Sequence, residues 1–127
     1  MGLETALGEV LAAFRGVSVA VSPTTDAYTL RATSDPNDIQ TPTVYVPLPD
    51  VEFMFNKGRL DVAWAAYLVP PNAPKQRTTT EHLSAMVDSV AGLYPFTTGE
   101  LYSLTLPGGT SAQAYKLTWH SHIPIGE

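Results

Sequence analysis

Apolar residues recur at helical spacing between Thr78 and Tyr94. Leu83, Met86, Val87, Val90 and Leu93 form a stripe, while Glu81, Ser84, Asp88 and Ser89 fall on other faces. Thr78 and Glu81 stand three apart, the spacing of a capping box, in which the hydroxyl and the carboxylate each accept from the other residue's backbone N–H. Gly92 and Pro95 predict the stop, with Gly92 in a left-handed conformation. An apolar stripe needs a surface to lie on, and the flanking segments carry the period of strands. The pattern therefore predicts a helix that covers a sheet.

The same reading extends along the chain. Leu3 to Phe14 is predicted helical, with Leu3, Leu7, Val10, Leu11 and Phe14 on one face and Gly16 as its end. Val17, Val19 and Val21 alternate with small residues as a strand does. Ser22 to Pro42 is punctuated by Pro23, Pro36 and Pro42 and by Ser34-Asp35-Pro36-Asn37-Asp38, and only Tyr28-Thr29-Leu30 has strand character. It reads as a long connection, mobile or loosely folded around Tyr28. Such a connection in a small domain is usually functional. On this reading, removing Ser34 to Ile39 leaves the fold cooperative.

From Thr43, Val44, Val46 and Leu48 alternate with Pro47 and Pro49, which predicts an edge or bent strand. Val51, Phe53 and Phe55 lead into the turn signal Asn56-Lys57-Gly58, and Arg59 to Val69 returns as the partner strand. Leu60, Val62, Trp64, Ala66 and Leu68 share one face of that strand. Ala63, Ala65, Tyr67 and Val69 share the other, behind Asp61. A strand apolar on both faces calls for cover on both, from the first helix, the long loop or another subunit. Leu101 to Leu106 and Tyr115 to Ile123 form a last hairpin around Pro107-Gly108-Gly109-Thr110. Two helices on one mainly antiparallel sheet of four to six strands make the fold class α+β, in a single domain spanning residues 1–127.

Composition narrows the chemistry. A chain of 127 residues can bury about two-thirds of its unfolded surface. The absence of cysteine excludes disulfides, thiolate metal sites and a cysteine nucleophile. The net charge is −5 and the seven basic residues form no run, so no phosphate-gripping stripe is expected. Met1 to Glu4 lacks the basic flank of a secretory signal, and the apolar run Val62 to Val69 is too short to span a bilayer. These features read as a soluble protein made inside the cell, without specific nucleic-acid binding and without a membrane partner.

Candidate catalytic constellations each meet a plainer reading. His120 and His122 share a strand face at chelating distance, but a third ligand would have to come from His82 or a distant carboxylate. Asp50/Glu52 and Asp35/Asp38 lie in proline-rich polar segments where carboxylates cap turns. No serine sits in a nucleophile elbow, and no glycine-rich phosphate loop is present. Trp64 and Trp119 have aliphatic neighbours that suit core packing. The expectation is a protein that is not an enzyme, with no catalytic, cofactor or metal residues.

The order of helix, strand, long loop, hairpin, capped helix and hairpin resembles the tail-terminator (tail-completion) proteins of bacteriophages with long non-contractile tails. The matching features are the opening Leu3-Glu4-Thr5-Ala6-Leu7 helix, the loop near Asp35-Pro36, the Phe53-to-Val69 hairpin and the Thr78-to-Leu93 helix. The resemblance implies a structural virion protein that assembles as a ring, with six subunits expected. The ring stops tail-tube growth and joins the tail to the head-neck connector. It implies as partners further copies of the chain, the tail tube protein and the neck protein, with DNA passing through unheld. The location implied is the head-proximal end of the tail, and the host cytoplasm during assembly. A net charge of −5 agrees with a passage that does not grip phosphate. Tyr28, Asp35 and Ile39 in the loop, and Ala63, Ala65, Tyr67 and Val69 on the strand, are the expected interface residues. The alternatives are another neck connector or adaptor, and a metal-dependent enzyme using His120 and His122.

Overall fold

The computed structural model describes residues 3–20, 27–39, 42–54, 58–71 and 76–124. Helix α1 spans Leu3–Phe14, as its periodicity predicts, and buries Ala6, Val10 and Phe14. Gly16 ends it with φ +87°, a conformation that costs glycine little, and its N–H donates to Leu30 O at 3.0 Å. The chain then forms β1 (Ser18–Ala20), β2 (Ala27–Thr29), β3 (Arg31–Thr33), a 3-10 turn at Pro36–Asp38, β4 (Thr43–Tyr45), β5 (Asp50–Met54) and β6 (Arg59–Val69). Helix α2 (Gln76–Val90), β7 (Thr98–Thr105) and β8 (Ser111–Pro124) complete it.

Strands β1 and β2 form a separate two-stranded hairpin. The other six make one sheet in the order β3-β4-β6-β8-β7, with β5 also paired to β6. Among the described residues only β3 and β4 run parallel; every other pairing is antiparallel. The fold is α+β, with two helices on a mainly antiparallel sheet.

The core lies between the helices and one face of this sheet. Val62, Trp64, Ala66 and Leu68 of β6 and Leu117 and Trp119 of β8 meet Val10 and Phe14 of α1 and Met86 and Val90 of α2. Trp119 is its centre. Tyr94 stacks on it at 4.8 Å between centroids and Trp64 at 5.8 Å, while Phe96 approaches edge-on at 5.3 Å and Phe14 lies 6.1 Å away. Offset and edge-to-face pairs of this kind add stabilisation beyond their buried area. Trp64 satisfies its indole N–H by donating to Ser121 Oγ at 2.8 Å.

Several expectations are corrected here. Helix α2 begins at Gln76, so Thr78 lies within its first turn and is not the N-cap; residues 72–75 lie outside the described residues. The helix stops at Val90, and Leu93 lies beyond it, 37% exposed. Gly92 does not adopt a positive φ; the end is instead a tight turn in which Leu93 N–H donates to Val90 O at 3.0 Å. The proline-containing strand is bent, one of the two forms expected: β4 lies between β3 and β6, β5 pairs with β6 alone, and the prolines fall in the break between them. In that break, residues 46–49 stand opposite only residues 64–66, a local excess on one strand of the kind found in a bulge.

The long connection is also more structured than its composition predicts. It supplies β2, β3 and the 3-10 turn, and it buries Leu30 and Ile39. Tyr28 reaches α2, where its hydroxyl lies 3.2 Å from Nδ1 of the buried His82 and the two rings are 5.7 Å apart. Burial pushes the Tyr28 phenol up to about 12. The folded pKa exceeds the unfolded one, so this contribution to stability is complete below pH about 10 and is lost as pH rises through about 12. Alkaline unfolding of Tyr28→Phe should therefore show a shallower loss of stability across that window. Denaturant titrations at a series of alkaline pH values would check this, and identical slopes for both proteins would refute it.

Candidate functional site

The sheet face turned away from both helices is the candidate interaction surface. Strand alternation on β6 assigns it Asp61, Ala63, Ala65, Tyr67 and Val69, and cross-strand register adds neighbours to each. Asp61 faces Glu52 on β5 and His122 on β8, Ala63 faces Asp50 and His120, and Tyr67 faces Tyr45 and Lys116. The face thus grades along β6 from charged, through small, to aromatic.

At the charged end His122 Nδ1 lies 2.6 Å from Asp61 Oδ1, with the imidazole side chain 56% exposed. Exposed pairs of this kind contribute little to stability. His82 belongs to α2 on the opposite side of the sheet, so the register does not bring the three histidines together. Among the described residues no group of three His, Asp or Glu side chains is placed to hold a metal ion.

In the middle, Ala63 and Ala65 are half-buried, and neither helix of the described residues lies over them. The aromatic end is a row. Tyr45 stacks on Tyr67 at 5.7 Å, Tyr67 meets Tyr102 of β7 at 5.0 Å, and the Lys116 ammonium lies 5.8 Å from the Tyr67 ring and 5.7 Å from the Tyr102 ring. A lysine so placed is held by ring quadrupoles on two sides. The Tyr45 phenol titrates above its ordinary value because burial, then Tyr67, then Asp35 disfavour its anion.

Beyond the row the face is covered by the chain itself. Val69, Ala114 and Ile39 form a second small core, flanked by Tyr45, Leu104 and Leu106. The covering element expected for the second face of β6 is thus the long loop at this end, through Ile39. Asp35 shapes that loop: its carboxylate accepts from Asn37 N–H at 2.9 Å and caps the 3-10 turn, while its own N–H donates to Thr33 Oγ1 at 3.1 Å. It is exposed and lies against the turn.

The structure therefore places the expected interface residues in three settings. Ala63, Ala65 and Tyr67 share the open face. Val69 and Ile39 are buried together beside it, and Tyr28 packs on the helix side. Tyr45, Tyr102 and Lys116 were not singled out by sequence. Their signal was the register of β4, β7 and β8 on β6, which the composition of a single strand does not reveal.

No helix among the described residues is long and apolar enough to cross a membrane. No protein-family model matches the chain, and no curated protein matches it.

Proposed function

We propose that this protein is a structural component of a bacteriophage tail, a ring-forming terminator that caps the tail tube and joins it to the neck. The observation that carries the reading is the open sheet face, where Ala63, Ala65 and Tyr67 stay half-exposed between a charged end and a tyrosine row. Apolar surface of that kind marks a place for a partner. The order of elements supports the same reading: an opening helix, an ordered loop around Asp35-Pro36, the β5–β6 hairpin, α2 and the β7–β8 hairpin. The charge of −5 suits a ring through which DNA slides.

In this role neighbouring subunits bury Ala63 and Ala65 on closing the ring, and the tail tube and neck proteins meet its two rims. Ala65→Glu places a carboxylate in the middle of the open face without entering the core. Light scattering and electron microscopy should show a closed ring for the natural protein and smaller species for Ala65→Glu, with the unfolding temperature unchanged. A natural protein that remains monomeric at high concentration, and is missing from purified virions, would overturn the reading.

A further inference from the structure

Every open strand edge of a sheet is a template for another strand, and chains commonly block such edges. In the main sheet the edges are treated unequally. On β3 the outward carbonyl of Ala32 accepts from Arg15 Nη2 at 3.3 Å, so a side chain already occupies that edge. Strand β5 follows Pro47 and Pro49 and carries exposed Asp50 and Glu52. Strand β7 has neither kind of block. It holds no proline and no basic residue, its one charge is Glu100, and Leu101 and Tyr102 are 58% and 42% exposed.

The backbone of β7 can be followed outward. Leu106 N–H donates to Thr110 O at 2.7 Å, which continues the β7–β8 register. Antiparallel alternation then turns the N–H and C=O of Gly99, Leu101, Ser103 and Thr105 away from β8. The side chain of Leu101 borders a groove of about 450 Å³ with Leu83, Val87 and Tyr115, between α2 and the β7–β8 hairpin. On the other face the tyrosine row of Tyr45, Tyr67 and Tyr102 runs up to this edge and stops there.

We infer that β7 pairs with β7 of a second copy, antiparallel and two-fold, joining two sheets into one. The occupant follows from self-complementarity. A dyad at Tyr102 sets Gly99 opposite Thr105 and Leu101 opposite Ser103 of the other copy, so all the outward backbone groups of those residues are satisfied. It sets Tyr102 against its own counterpart and carries the tyrosine row across the joint. Glu100 falls opposite Leu104, so no like charges meet, which the acidic β5 edge cannot offer to a strand bearing Glu100. The Leu101 side chains come side by side on the groove face and close it. A two-fold contact of this kind is closed and cannot propagate a ring. The inference does not rest on the tail-terminator reading and uses a different surface.

The test is amide exchange with solution mass. Ser103→Pro removes an outward donor while leaving the β7–β8 ladder bonds in place, and Leu101→Lys puts a charge at the joint on an exposed side chain. The natural protein should have at least twice the chain mass, with the Leu101 and Ser103 amides protected and losing protection on dilution. Both variants should halve the mass and retain their circular dichroism, while Ala65→Glu should leave the β7 amides protected. Should Ser103→Pro not fold, Leu101→Lys decides alone. A monomeric natural protein overturns the inference, as does free exchange at Leu101 and Ser103 in an oligomer, or variants whose mass is unchanged. A ring that persists in Leu101→Lys at unchanged mass would overturn β7 pairing while leaving the terminator reading standing.

Discussion

Trp119→Ala is expected to lower the stability of the fold by about 3–5 kcal/mol, the range for removing a fully buried large aromatic side chain. Trp119 is 1% exposed and touches Tyr94, Trp64, Phe96 and Phe14, which come from β6, from α1 and from the segment joining α2 to β7. The cavity would open where both helices meet the sheet, and four rings held by one another cannot all collapse into it. Domains of this size hold about 5–15 kcal/mol in total, so the variant should lose a large share of its stability. Leu48→Ala is the matched control, because Leu48 is 62% exposed in the break between β4 and β5. Its cost should stay within about 0.5 kcal/mol. Urea titrations of both variants would check the contrast, and equal midpoints would mean that Trp119 is not the centre of the core.

The second large effect is expected at Ile39. It is 6% exposed and packs on Val69 and Ala114, at the end of a segment that reads in sequence as dispensable. Ile39→Ala should cost about 2–4 kcal/mol, against about 1 kcal/mol for Asp35→Ala, which removes only the carboxylate cap of the 3-10 turn. Deleting residues 34–39 should therefore destabilise the domain, contrary to the expectation drawn from composition. Denaturation midpoints for the three variants give the order directly. If Ile39→Ala proves no more costly than Asp35→Ala, the segment is a surface loop after all.

The contrast at Ile39 shows where sequence stops being legible. Elements with their own period were readable: α1 and β6 have the residue limits that their apolar spacing gives. The positive φ of Gly16, Gly58, Gly108 and Gly109 agrees with turns placed at those glycines. Segments whose burial comes from distant partners were not readable. Leu30 lies against the core only because β1 and β2 fold over α2, and Ile39 is buried by residues thirty and seventy-five positions away, Val69 and Ala114. Among so many prolines and turn residues, each looked like an isolated apolar side chain.

The candidate surface was half legible for the same reason. Period two on β6 revealed Ala63, Ala65 and Tyr67, because the signal lies within one strand. It could not reveal that Tyr45 and Tyr102 flank Tyr67, since that depends on β4 and β7 arriving from opposite directions. His82 was considered only as a distant ligand. Its burial beside Tyr28 depends on the pairing of β1 with β2, which neither the alternation of Val17, Val19 and Val21 nor the fragment Tyr28-Thr29-Leu30 shows by itself.

The extra residue between Tyr45 and Asp50 has a consequence for the phase of the whole segment. On β4 it is the even-numbered side chain, Val44, that points into the core, and Val46 follows it there. On β5 the inward position is odd: Val51, opposite Val62, packs against the core while Asp50 and Glu52 remain exposed. The switch of parity is made by residues 46–49, and the prolines there keep the chain from ladder bonding while it is made. Were the β4 ladder to run on from Tyr45 without the extra residue being bulged out, Asp50 would fall opposite Val62 and Glu52 opposite Leu60, turning two carboxylates toward the core and Val51 away from it. The proline-rich break is therefore a phase shifter: by interrupting the ladder it lets one extra residue be absorbed between two strands of opposite parity.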